Sequence, residues 1–354
     1  LRTDRFSSAL SILRGAIASV ENEAEFSSQH AYLIEKAERV NRITDFYRYA
    51  DQTHAYNLLR RDTKAILSCT AGLRSLGILD KDDWWHGLPD ADLTPMQRDE
   101  LRWAVYQQLL ILDAMLVKSG STDAGKRESS AALFVSDRAD MFRRSESVRW
   151  FRSVAQFRLG QGRRLLGREL ETSRNAADAQ SLGALCLASA LDESFRIFFR
   201  DYKGDDSLRA ARDLFSRSAK LRPNDYWVQL SLAQTEHLLA LRDPDSSWRK
   251  FDSAIQAAGR CIAIRPEKCF AYADRSSMFR SAALLVASDD ELTAIDKEEK
   301  TSELLKWSLD DAQMANRRGV GQPWIGWQHG LALYAIGQDD QAMRRFLEAS
   351  QLTY

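Results

Sequence analysis

The sequence contains little of what bends or cross-links a chain. Its 354 residues include only 6 Pro, 17 Gly and 4 Cys. This composition argues against a collagen-like or low-complexity chain, and four cysteines are too few for a small secreted fold held by disulfides. We therefore expect a reducing compartment and a cytoplasmic location.

An excess of charge of one sign is also missing. Lys and Arg together number 50, as do Asp and Glu, so the formal net charge is zero. A neutral chain has no overall field that attracts a polyanion or an anionic membrane surface. We expect a protein or peptide partner, not nucleic acid.

Long apolar runs are absent as well. No stretch of the sequence approaches the roughly 18 consecutive apolar residues that mark a membrane span, and we expect none. The N-terminal stretch LRTDRFSSALSILRGAIASV is too charged for a signal peptide. Because the chain begins with Leu1 instead of Met, we interpret it as a fragment of a longer protein or a processed product.

Apolar residues recur at spacings of three and four along most of the chain, as at Leu109, Leu112 and Leu116. Sustained alternation of apolar and polar residues is not found. This pattern predicts an all-α fold with more than about 60% helix and no sheet.

The C-terminal segment matches the tetratricopeptide (TPR) pattern, a pair of helices with small and aromatic residues at fixed offsets. With Gly330 at the small position of the first helix, Gly337 falls at the turn, and Phe346 lies between the close-contact positions Ala342 and Ala349. Counting back from Pro266 and from Pro223 gives two further sets of second-helix residues: Ala254, Ala258 and Cys261, and Ala211, Phe215 and Ser218.

These matches predict a TPR-like α-α superhelix, irregular in repeat length, over residues 77–354. Residues 1–76 show no repeat register and are predicted to form long helices that act as a linker or cap. The acidic stretch from Asp289 to Glu299 is interpreted as an inserted loop.

Two segments carry a family resemblance. The first is GILDKDDWW followed by LTPMQRDELRWAVYQQLLILDAML, and the second is LRPNDYWVQLSLA. They resemble the TPR regions that follow the catalytic domain in large planctomycete-type bacterial serine/threonine protein kinases. The resemblance covers about residues 75 to 354 and implies scaffolding or regulation.

The resemblance does not extend to the catalytic motifs of these kinases. It contains no glycine-rich phosphate loop after a strand, no Val-Ala-Ile-Lys, no His-Arg-Asp and no Asp-Phe-Gly. A kinase domain in the parent protein would have to precede Leu1. The five histidines are scattered, without a nucleophile and base at a telling spacing, so we expect no catalytic residue in this chain.

Two weaker patterns have packing explanations. Gly160, Gly162 and Gly167 invite a phosphate-loop interpretation, but they lack a preceding strand and a following Gly-Lys-Ser/Thr, so we interpret them as helix-turn glycines. Cys261 and Cys269, with His237, fall short of the paired ligand spacing of a zinc site. We expect neither a cofactor nor a metal.

One cluster of like charge stands out in the neutral chain. Nine arginines crowd two or three predicted helices: Arg143, Arg144, Arg149, Arg152, Arg158, Arg163, Arg164, Arg168 and Arg174. Because Arg binds carboxylates and phosphates in a bidentate manner, the cluster is a candidate site for an acidic peptide, a phosphorylated segment or RNA. We single out Arg163, Arg164 and Arg168. The alternative is a solvated helix face compensated by Asp and Glu.

The leading functional hypothesis is a protein-interaction scaffold. Stacked helix pairs form a concave groove lined by the first helix of each pair. The candidate groove residues are Gln229, Gln234, Asp274, Arg275 and Gln328. One alternative is the regulatory or substrate-docking tail of a serine/threonine kinase, and a weaker one is RNA or acidic-partner binding through the arginine cluster.

Overall fold

The structure, a computed structural model, describes eight stretches of the chain: residues 2–21, 27–58, 61–80, 93–119, 125–161, 175–191, 205–243 and 247–352. These residues are 86% helical and contain no strand. The predicted all-α class is confirmed for them. No helix among them is both long enough and apolar enough to cross a membrane.

Fourteen α-helices lie in the described residues. They are α1 (Arg2–Val20), α2 (Ser27–Leu58), α3 (Asp62–Ser75), α4 (Pro95–Ser119), α5 (Gly125–Phe142), α6 (Glu146–Arg158), α7 (Ala176–Leu191), α8 (Asp205–Leu221), α9 (Tyr226–Arg242), α10 (Asp252–Ile264), α11 (Phe270–Ser288), α12 (Ala294–Arg318), α13 (Pro323–Ala335) and α14 (Asp339–Gln351). A short 3₁₀ helix (Trp248–Phe251) precedes α10. The chain divides into two compact units, Leu1–Ser181 (unit 1) and Leu182–Tyr354 (unit 2).

In unit 1, consecutive helices from α1 to α6 pack on one another, and α4 also contacts α6. Residues 2–75 contain three helices, and the last of them, α3, packs on α4. The core includes Phe46, Leu73, Leu101 and Phe151, each at most 1% exposed. The sequence division at residue 76 stays a prediction.

In unit 2, each helix from α8 to α14 packs on the next. The helices α9, α11 and α13, which we call the first helices, also contact one another in series. One core cluster joins three of these helices. Ala233 of α9 and Ala258 of α10 pack with Met278 of α11, and all three residues are 0% exposed. Small side chains let three helix backbones approach closely at this point.

The residues predicted at the close-contact positions are buried. Ala211, Phe215, Ser218, Ala254, Ala258, Cys261, Ala342 and Ala349 are each at most 1% exposed. A Cβ on Gly330 would overlap the ring of Phe346, and a Cβ on Gly183 would lie 3.0 Å from the ring of Phe215. In two helix pairs, α7/α8 and α13/α14, a glycine therefore makes room for a phenylalanine.

The turn glycines behave as predicted at two positions. Gly337 has φ of 77° and lies between α13 and α14, and Gly160 has φ of 71° just after α6. Both adopt the left-handed conformation that glycine reaches at least cost. Gly162 and Gly167 lie outside the described residues.

The interpretation of the acidic stretch as an inserted loop is wrong for its second half. Asp296, Glu298 and Glu299 belong to the first turns of α12. The helix starts there because Thr293 and Asp296 form a reciprocal capping box, with the Thr293 hydroxyl accepting from the Asp296 amide at 3.2 Å. Acidic residues at a helix N-terminus also oppose the helix dipole favourably.

Candidate functional site: the first-helix cluster of unit 2

The five predicted groove residues lie on the first helices, with Gln229 and Gln234 on α9, Asp274 and Arg275 on α11, and Gln328 on α13. Gln229 is only 4% exposed. Its amide donates to the Pro223 carbonyl at 3.2 Å and accepts from Arg260 at 3.1 Å. In this structure Gln229 therefore links α9 to α10 and does not line a surface.

Gln234 and Asp274 connect α9 to α11. The Gln234 amide donates to the Asp274 carboxyl at 2.8 Å. Asp274 is 9% exposed, and burial raises its pKa from 3.8 to about 7, although the hydrogen bond from Gln234 opposes the shift. Burial disfavours the charged form of a carboxyl group.

Arg275 turns toward α12 and pairs with Asp311 there. Its guanidinium donates two hydrogen bonds to the carboxylate, at 2.7 and 2.8 Å. Burial raises the pKa of Asp311 even though Arg275 opposes that shift. Burial alone would lower the pKa of Arg275, but the interactions with Asp311 and Tyr272 together outweigh burial, so the pKa of Arg275 is raised as well. The pair holds the second helix α12 against α11, which is a structural use of a predicted groove residue.

Gln328 bonds to Arg280, a residue that the sequence analysis does not identify. Its side-chain oxygen accepts from Arg280 of α11, whose guanidinium also donates to the hydroxyls of Ser276 at 2.8 Å and Ser308 at 3.3 Å. All three acceptors are neutral. Burial lowers the Arg280 pKa to about 10. Among the described residues, no carboxylate lies within ion-pair distance of Arg280.

His237 completes the contacts between α9 and α11. Its Nε2 lies 3.2 Å from the Ser281 hydroxyl, and its ring packs edge-on against Phe251 at 5.6 Å between centroids. Burial, aided by the positive charge of Arg280, lowers the pKa of His237 to about 4. At neutral pH His237 is therefore uncharged.

We call Gln234, His237, Asp274, Arg280, Ser281 and Gln328 the first-helix cluster. It combines two amides, a hydroxyl, a neutral imidazole and the carboxyl group of Asp274 with one cation, Arg280, that forms no ion pair with a described carboxylate. Such a set suits recognition of an anionic group by hydrogen bonds and charge. Arg280 and His237 follow Pro266 and Pro223, respectively, at the same offset, so the repeat register itself was the signal that could have identified them.

The arginine cluster is only partly in the described residues. Arg143, Arg144 and Arg149 are exposed, whereas Arg152 pairs with Asp137 at 2.8 Å and Asp140 at 2.6 Å, and Arg158 donates to the Val117 carbonyl. Arg152 and Arg158 therefore bind within unit 1. Arg163, Arg164, Arg168 and Arg174 lie outside the described residues, as do Trp84 and Trp85 of the family resemblance.

The four cysteines are free and buried. Burial raises the pKa of Cys261 and, less strongly, that of Cys269, which disfavours their thiolates. In the part of the chain that the structure describes, no three His, Cys, Asp or Glu residues come together in a way that could hold a metal ion. Cys261 occupies a close-contact position between helices, as its packing interpretation requires.

Comparison with known proteins does not place the chain. No family model matches the sequence, and no curated protein matches it.

Asp274 supplies a pH-dependent prediction. Its raised folded-state pKa means that it favours folding while neutral, and this contribution is lost as pH rises from about 4 to about 7. Asp274→Asn cannot ionise but can still hydrogen-bond to Gln234. We expect the Tm of Asp274→Asn minus the Tm of wild type to be smallest near pH 4. This difference should increase with pH and level off above about pH 7. A constant difference across this range, measured by thermal circular dichroism, would show that folding does not raise the pKa of Asp274.

Proposed function

We propose that unit 2 is a TPR-like array of helical hairpins and serves as a protein-interaction scaffold. The buried small residues at repeat positions support this arrangement. So does a line of rings at equivalent helix starts, where Trp227 lies 5.8 Å from Phe270 and Phe270 lies 6.2 Å from Trp324. An array of this type exposes the side chains of its first helices to a partner segment.

The first-helix cluster binds an acidic segment of the partner. The observation that carries this proposal is the position of Arg280, a half-buried cation bonded only to neutral oxygens among the described residues. Burying a charge without a countercharge costs free energy. A partner carboxylate that takes the place of Gln328 would recover that free energy in a charge-assisted, bidentate contact.

The surroundings of Arg280 fit a peptide. Leu284 lies one helical turn further along α11 and is 75% exposed, so it offers an apolar contact beside the cation. His237 is neutral and accepts or donates a hydrogen bond without adding charge. We therefore propose a ligand with a carboxylate next to an apolar side chain.

Display of a random peptide library on phage tests this function. Selection on the wild-type protein is expected to enrich peptides with Asp or Glu beside an apolar residue. Arg280→Gln is expected to weaken the selected peptides at least about tenfold, since a hydrogen bond to a charged group contributes about 1.5 to 3 kcal/mol. The matched control is Arg317→Gln on the exposed surface of α12, which should leave affinity unchanged. Equal affinities for all three proteins would refute the assignment.

For the parent protein we propose a bacterial signalling protein, in which the array docks substrates for a serine/threonine kinase domain that precedes Leu1. This proposal rests on the family resemblance alone. We also propose a cytoplasmic location for the parent protein. Determining the sequence upstream of Leu1 tests it, and an upstream segment without a kinase domain would refute it.

A further inference from the structure

The short 3₁₀ helix before α10 and the helix α12 each contribute a tryptophan to one contact. Trp248 begins the 3₁₀ helix, and Trp307 lies on α12. The ammonium of Lys300, also on α12, lies over both rings, 5.0 Å from the centroid of Trp248 and 5.5 Å from that of Trp307. A cation within about 6 Å of a ring centroid is attracted by the electrons of the ring face. The two indoles therefore already hold an alkylammonium group.

The charges around the two rings favour a cation. Glu303 accepts a hydrogen bond from the Lys300 ammonium at 2.8 Å. The guanidinium of Arg249 lies over the Trp248 ring as well, at 5.8 Å, so this ring contacts two cations. Residues 289–303 include seven acidic residues and two lysines. Such an excess of negative charge attracts cationic ligands.

Both rings are held by contacts that do not involve Lys300. Trp248 packs against a core cluster that includes Phe251 and Phe279, which are 1% and 7% exposed. The Trp307 ring lies 5.4 Å from the ring of the same Phe279. Removal of the Lys300 side chain would therefore leave both indoles in place. A site that is already formed binds its ligand without the cost of ordering its own side chains.

The site is open to solvent. Trp307 is 40% exposed, and the side chains of Lys300 and Glu303 are 31% and 43% exposed. An ion pair with this exposure, between residues three apart on a helix, contributes little to stability. A lysine side chain is also flexible. Lys300 can therefore turn into solvent and leave the two rings to another cation.

We propose that Trp248, Trp307 and Glu303 form a binding site for a quaternary alkylammonium group, which Lys300 occupies until such a ligand displaces it. A primary ammonium is strongly hydrated. A quaternary ammonium has no N–H groups to keep hydrated, so it moves from water to the faces of two indoles at lower cost, and aromatic cages recognise such groups. Two ligands share this chemistry: the side chain of a trimethylated lysine in a protein, and a free molecule of the choline type.

Titration of the full chain with choline at constant ionic strength tests the site, with the indole N–H signals of Trp248 and Trp307 followed by NMR. Lys300→Ala is expected to bind choline about tenfold more tightly than wild type, because the variant removes a cation that competes for both rings. The matched control is Lys306→Ala, an exposed position of the same helix, which changes the net charge equally and should leave the wild-type affinity unchanged.

Further variants in the Lys300→Ala background test the walls of the site. Trp307→Leu keeps an apolar contact for Phe279 but removes one ring, and it should weaken choline binding at least about tenfold. Trp327→Leu is its control, since Trp327 is 43% exposed on α13, and this variant should bind choline as the background does. Glu303→Gln keeps both rings and should weaken binding about threefold, as expected for an exposed charge.

Two other ligands complete the experiment. The alcohol 3,3-dimethyl-1-butanol has the shape of choline without its charge and should bind at least about tenfold more weakly. A glycine-flanked trimethyllysine peptide that binds more tightly than choline would identify a protein side chain as the ligand, and the reverse order would identify a small molecule.

Three results would overturn the inference: no binding of either ammonium by Lys300→Ala, equal binding of the neutral alcohol, or the same gain from Lys306→Ala. The proposal is separate from acidic-peptide binding, because Arg280→Gln should leave choline affinity unchanged. Trp307→Leu should in turn leave the affinity of the phage-selected peptides unchanged.

Discussion

Replacing Ala342 with Trp is expected to unfold the α13–α14 hairpin while unit 1 stays folded. Ala342 is 1% exposed and lies on α14, which packs on α13, so its methyl group is enclosed by neighbouring atoms. Inserting a larger side chain into a packed site costs about 1 to 3 kcal/mol, and a Trp in place of a methyl group exceeds the usual case. Hydrogen exchange measured by mass spectrometry should show lost protection in residues 323–351 and unchanged protection in α4.

The matched control for this variant is Met343→Trp. Met343 is the next residue of the same helix and is 59% exposed, so a Trp there has space. It should leave the exchange pattern of the hairpin close to that of wild type. If both variants kept wild-type protection, the contact between α13 and α14 would not be where the structure places it.

Asp311→Ala should destabilise unit 2 by about 3 kcal/mol, because removing one partner of a buried ion pair leaves the other charge uncompensated. Asp311 has 8% of its side chain exposed and Arg275 has 26%, and two hydrogen bonds join them. The double variant Arg275→Met/Asp311→Leu is expected to recover much of the loss, since it removes both charges. Urea unfolding of the three proteins provides the free energies.

Asp310→Ala is the control for this variant, since Asp310 is the exposed neighbour of Asp311 on the same helix. Its expected effect is within about 0.5 kcal/mol. Equal midpoints for Asp310→Ala and Asp311→Ala would mean that the Arg275 pair adds nothing to stability.

Much of the helical framework followed from spacing alone. Gly330, Ala342 and Ala349 were identified by one choice of register, because close packing of two helices requires small residues at fixed intervals. Thr293 and Asp296 show a missed local signal, since a Thr followed three residues later by an acidic residue begins a helix. The acidic composition of that stretch predicts a loop, and this prediction is wrong for residues 296–299.

The candidate site was harder to predict, because its contacts join residues far apart in sequence. Gln234, Asp274 and Arg275 are predicted groove residues, but the sequence does not show that Gln234 bonds to Asp274 or that Arg275 pairs with Asp311. Because the repeats differ in length, such pairs cannot be predicted from a constant separation in sequence. Arg280 follows Pro266 at the offset at which His237 follows Pro223, but only the structure shows that its acceptors are neutral.

A crystal structure of the protein with a phage-selected acidic peptide tests the central claim most directly. The proposed function predicts a peptide carboxylate that accepts hydrogen bonds from the Arg280 guanidinium, with the peptide backbone lying across α9, α11 and α13. A peptide bound on another surface, with Arg280 still bonded to Ser276, Ser308 and Gln328, would contradict it.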